Sequence, residues 1–142
     1  MEELELKGLN EKIYVYHTKC GLPIYMWVNE KVSSMYASLS VKYGSIHTKF
    51  KIGKKTYEVP NGIAHFLEHV KFNIDEETTA HDEFYKLGGD ANAFTTFDYT
   101  SYIVFATNNK KENLEELLNF VYNPFFTKKC ISKEKGIIVE EA

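Results

Sequence analysis

Two runs of β-branched and aromatic residues begin the pattern. Residues 12–17 carry Ile13, Tyr14, Val15 and Tyr16, and residues 22–28 carry Ile24, Tyr25, Met26 and Trp27, with Thr18 to Gly21 between them. That spacing predicts a β-hairpin, and Pro23 belongs at a strand start or an edge. In residues 35–43, Met35, Ala37, Leu39, Val41 and Tyr43 alternate with Tyr36, Ser38, Ser40 and Lys42, the period of a half-buried strand. Residues 44–59 are polar and Lys-rich and read as a long loop with a turn at Gly53. Asn61 is placed to cap a helix over 62–72, and Thr79 a second over 80–87 that Gly88 and Gly89 stop. Strands are expected at 91–97 and 99–107. Leu114, Leu117, Leu118 and Val121 then give a core-facing helical stripe over 110–122, ended by Asn123 and Pro124. A last helix starts near 129–132 and still runs at Ala142. With no linker or repeat between them, these elements predict one α+β domain, helices packed on a largely antiparallel sheet.

Composition narrows the function. The 142 residues are 44% hydrophobic and 26% charged, the balance of one globular domain. Acidic residues outnumber basic ones, 20 to 17, and every basic residue is Lys, so neither a basic field nor a guanidinium fork is available for a phosphate backbone. Nucleic acid is excluded as an expected partner. No apolar run approaches the ~20 residues that a membrane span requires, and the acidic start at Glu2 and Glu3 is unlike a signal peptide. Cys20 and Cys130 are too few for a disulfide framework, so the expected compartment is the cytoplasm.

Chemistry concentrates in His65, Phe66, Leu67, Glu68 and His69, the inverted zinc motif H-x-x-E-H. On a helix, His65, Glu68 and His69 share one arc while Ile63, Phe66, Leu67 and Val70 take the opposite one. Imidazoles at i and i+4 can each direct a nitrogen to a common metal, and Glu68 lies beside that point, able to hold a water. The bland alternative is a surface helix whose polar residues face solvent. A catalytic zinc takes three protein ligands, which directs attention to the last helix. There Glu134 and Glu141, at i and i+7, share a face with Ile137 and Ile138, while Lys135, Gly136 and Glu140 point away. Carboxylates on an apolar face are costly to bury unless compensated, which favours Glu134 and Glu141 over Glu140; an ordinary charged helix end is the alternative. His17, His47 and His81 read as solvated side chains, and Cys130 as a buried structural thiol.

The H-x-x-E-H run, residues 87–95 (Leu87, Gly88, Gly89, Asp90, Ala91, Asn92, Ala93, Phe94, Thr95), Thr100 to Tyr102 and Glu134 to Glu141 together resemble the insulinase/pitrilysin family of zinc metallopeptidases. Tyr43 to Ile46, Gly62 to His65 and Asn123 to Phe126 bring the likeness closest to its soluble bacterial members. The resemblance implies the metallohydrolase fold of mitochondrial processing peptidase and a Zn2+ cofactor. It makes His65, His69 and Glu141 the metal ligands, Glu68 the general base, and Glu134 a carboxylate that orients the site. Asn92 and Ala93 match the edge strand on which an extended peptide substrate lies, although Asn92 also suits a turn after the glycine pair. Family members continue well past this length, and the last helix has no Gly, Asn or Pro to close it. Residues 1–142 are therefore expected to be the N-terminal portion of a zinc peptidase domain, with self-association or a homologous second half as possible partners. The alternative is a non-catalytic subunit or an inactive fragment that keeps the zinc site.

Overall fold

In the computed structural model, which describes the backbone of residues 2–141 and the side chains of residues 2–140, the chain divides into two units, Met1–Ser33 and Ser34–Ala142. The first is an antiparallel sheet of β1 (Glu2–Leu6), β2 (Glu11–His17) and β3 (Pro23–Trp27), in that order. The hairpin of β2 and β3 forms as predicted, with Pro23 opening β3 on the edge of this sheet. Strand β1 was not predicted. Its alternating Leu4 and Leu6 follow the strand period, and register sets Leu4 opposite Ile13 while Lys12 pairs with Glu3 at 2.6 Å.

The second unit contains β4 (Met35–Val41), β5 (Lys49–Ile52), β6 (Lys55–Glu58), α1 (Ile63–Lys71), α2 (Ala80–Lys86), β7 (Gly89–Thr95), β8 (Thr100–Ala106), α3 (Lys110–Tyr122) and α4 (Lys128–Glu141). Its main sheet runs β4-β8-β7, entirely antiparallel, so β7 is an edge. Register aligns Ala37, Val104 and Ala91 in one row and Leu39, Tyr102 and Ala93 in the next, all on the face that carries the core. Phe84 from α2 and Leu117 and Phe120 from α3 complete it, with Phe84 and Phe120 packed edge to face at 5.7 Å. This is the predicted α+β class.

Three local expectations are corrected. Residues 49–58 form a hairpin instead of a long loop, because Phe50 and Tyr57 face each other across it and stack at 5.7 Å. Helix α1 is preceded by Gly62 in a left-handed conformation (φ 82°), which takes the N-cap position from Asn61. On α3 the buried face is Asn113, Leu117, Phe120 and Val121, whereas Leu114 and Leu118 are exposed. By contrast, Thr79 does begin α2, its N–H and hydroxyl both donating to Asp82 Oδ2 at 2.8 and 2.7 Å. Lys71, at the end of α1, donates to the Val121 carbonyl in the last turn of α3, an interaction that offsets an orphan helix carbonyl. Withdrawing that amine partly from water lowers its pKa.

The glycine pair after α2 divides its work. Gly88 supplies a left-handed turn at φ 71°, and Gly89 supplies space, since a Cβ there would sit 1.9 Å from Oδ1 of the buried Asn113. Gly89→Ala is therefore expected to destabilise the protein by about 1–3 kcal/mol through overpacking, measured as a lower urea midpoint at unchanged slope.

Candidate metal centre

Helix α1 crosses the end of the edge strand β7, and this placement determines which way its polar residues point. His65 and His69 are half-buried, their rings perpendicular (89°) with centroids 4.7 Å apart and their Nε2 atoms separated by 3.1 Å. Glu68 does not share their partial exposure. It is buried, and its Oε2 accepts a hydrogen bond from Thr95 Oγ1 at 2.5 Å. The expected segregation of a polar arc from a packing face is thus only partly realised, because the arc's inner edge rests on β7. Burial of Glu68 also removes the picture of a merely solvated helix surface. Two nitrogens bound to one tetrahedral zinc at about 2.0–2.1 Å lie about 3.3 Å apart, so the histidine pair is already spaced for that ion.

Helix α4 packs on α1 and brings Glu134 in behind the histidines. Glu134 is buried, with Oε2 3.8 Å from His69 Nδ1, ion-pair range and longer than a hydrogen bond. A carboxylate on the far ring nitrogen is the arrangement that fixes the tautomer of a metal-ligating histidine. The other oxygen, Oε1, accepts from Asn73 Nδ2 at 3.3 Å, and the same amide group donates to the Val70 carbonyl at 3.1 Å. Cys130 is buried and Ile138 half-buried on α4, but Ile137 is exposed and does not share Glu134's environment as expected. The side chain of Glu141 lies outside the described residues. Among those that are described, no three His, Cys, Asp or Glu side chains are gathered as a ready metal cluster.

Beside this cluster lies a groove of about 260 Å³, lined in part by Glu68, His69, Phe72, His81, Asn92 and Glu134. His81, expected to be solvated, is exposed yet stacks flat on Phe72 at 4.4 Å. Asn92 and Ala93 sit in the middle of β7, which removes the turn alternative for Asn92, and Asn92 Oδ1 accepts the Ala93 N–H at 2.8 Å. Asn73 and Thr95 escaped the sequence reading. Thr95 had a signal: it has the strand parity of Ala91 and Ala93, the face that meets the helices. Asn73, just beyond α1, carried none.

Tyr102 stands on the central strand β8 with its pKa pushed up to about 12, first by burial and then by the negative charge of Glu68. The folded state holds this proton more tightly than the unfolded chain does, so stability is intact below pH 10 and falls as pH rises from about 10 to 12. The expected loss over that interval is about 2 kcal/mol, and Tyr102→Phe should flatten it. Melting curves across pH 9–12 for both proteins check this.

Comparison with known proteins follows the same lines. The family described as insulinase, peptidase family M16, matches residues 27–142. A Bacillus subtilis (strain 168) protein named uncharacterized zinc protease YmfH is 41% identical over 143 aligned residues, covering 99% of this chain and 33% of the relative. An Arabidopsis thaliana protein named as the beta subunit of mitochondrial-processing peptidase is 28% identical over 110 residues, 74% of this chain and 21% of its own. Among solved structures, an M16-like peptidase from Alicyclobacillus acidocaldarius superimposes with a TM-score of 0.87 at 33% identity, covering 97% of this chain and 32% of that one. The chain thus spans about a third of the length of the Bacillus and Alicyclobacillus proteins.

Proposed function

The chain belongs to the insulinase family, peptidase family M16, and on that premise we propose that it is the zinc-holding N-terminal portion of a metalloendopeptidase acting on peptides or unfolded segments. The observation that carries this reading is the 3.1 Å approach of two Nε2 atoms beside a buried glutamate, with a second buried carboxylate behind His69. His65 and His69 are the proposed ligands, with Glu141 as the third. When bound, zinc would supply Lewis acidity, polarising a scissile carbonyl and bringing the pKa of a water towards ~7. Glu68 then acts as general base, taking the water's proton and delivering it to the leaving amine. The Thr95 hydroxyl engages Oε2 and leaves Oε1 for that proton. Glu134 faces His69 Nδ1 at ion-pair range and would orient that ring, while Asn73 donates to Glu134.

Substrate orientation follows from topology. Strand β7 is an edge of the β4-β8-β7 sheet, so one side of its backbone is available for an extended peptide, with Asn92 lining the groove and Ala93 next to it on the strand. A homologous second half or subunit is the proposed partner that covers the bound peptide. Cys20 and Cys130 are both free thiols, in keeping with a reducing cytoplasm, and no helix among the described residues is long and apolar enough to cross a membrane.

Zinc titration and hydrolysis assays test this together. The chain should bind one zinc, His65→Ala should weaken it by at least 100-fold, and Glu68→Gln should change it little. In the protein at the length of its relatives, Glu68→Gln should lower peptide hydrolysis by about 10²- to 10⁴-fold. Zinc binding that ignores His65, or full activity in Glu68→Gln, would overturn the reading. The 142-residue chain alone should hydrolyse little, because the proposed partner that covers the bound peptide is absent from that assay.

A further inference from the structure

On the other side of α1 lies a second cavity, of about 330 Å³, which no part of the proposed hydrolysis uses. Its wall is almost wholly apolar, formed among others by Val41, Ala64, Leu67, Tyr102 and Phe126. Its polar members are the hydroxyls of Tyr43, Thr100 and Tyr102 and the amine of Lys71, and Lys71 alone carries a charge. One of its three ammonium donors goes to the Val121 carbonyl, and among the described residues no carboxylate lies within ion-pair distance of it. Other lysines of the chain are paired at the surface, such as Lys86 with Glu83 at 2.7 Å and Lys129 with Glu76 at 2.8 Å. A half-buried cation with donors to spare, set in an apolar wall, complements a ligand with an anionic head and an apolar body. The volume stands at the low end of small-molecule pockets, which suits one short acyl chain.

We infer that this cavity between α1, the β4-β8 strands and the segment after α3 is a binding site for a medium-chain monocarboxylate, whose carboxylate pairs with Lys71 and whose chain lies along Leu67, Val41 and Phe126. The site is independent of the zinc reading. Its test is therefore run with a chelator present, so that a carboxylate cannot report on bound metal.

Isothermal titration of the chain with octanoate, below its aggregation threshold, is expected to show one saturable site and a rise in melting temperature. Octanol, with the same chain and no charge, should bind at least tenfold more weakly. Lys71→Met should bring octanoate down to the level of octanol, whereas Lys71→Arg should retain most of the difference. Because Lys71 also serves the end of α3, Lys71→Met is expected to melt somewhat lower without ligand, and the ligand-dependent shift is the quantity compared. Val41→Phe, which narrows the cavity from an exposed strand position, should weaken octanoate and octanol alike. Absence of saturable binding, equal affinity for the two probes, or unchanged octanoate binding in Lys71→Met or Val41→Phe would overturn the assignment.

Discussion

Two carboxylates buried beside one pair of imidazoles, in a chain without a single arginine, set the constraint to which the second unit is built. Neither Glu68 nor Glu134 has a lysine at ion-pair distance among the described residues. An isolated buried carboxylate costs several kcal/mol, and a neutral hydrogen bond returns only ~1 kcal/mol of it. Thr95 and Asn73 therefore compensate part of the cost, and on the proposed reading a cation at the histidines would balance charge at Glu134, which faces His69. On that reading metal affinity and the stability of the fold would be coupled.

The scaffold meets that constraint with rigid elements. Ala91 and Ala93 join the core from the edge strand, Gly89 lets α3 come close through Asn113, and the Phe84–Phe120 contact fixes α2 and α3 on the same face. Helix α1 packs against the strand that a substrate would extend, with Glu68 bonded to Thr95 at its end. Polar groups from three elements, α1, β7 and α4, converge, and Asn73 just beyond α1 ties α4 to them.

Much of this was legible in the sequence, and the rest fails for identifiable reasons. Periodicity located all four helices and the three strands of the main sheet, because their buried faces follow the core rows of Ala37, Leu39, Tyr102 and Val104. It missed β1 and read β5 and β6 as loop, since short strands rich in Glu or Lys carry little apolar signal. Helix spacing brought His65 and His69 together correctly, but it could not foresee that Glu68 turns inward, which depends on where β7 passes. The stripe on α3 was displaced because Leu114 and Leu118 are as apolar as Leu117, and only packing distinguishes them. Asn73 illustrates the limit: its role arises from α4, 61 positions further along the chain.

The central claim is that His65 and His69 bind one zinc with oxygen ligands, the buried thiol of Cys130 taking no part. Zinc-edge X-ray absorption of the loaded protein tests this most directly. Two imidazoles and one or two oxygens at about 2.0–2.1 Å are predicted, with one imidazole shell lost in His65→Ala. A sulfur shell at about 2.3 Å, or a spectrum that His65→Ala leaves unchanged, would contradict it.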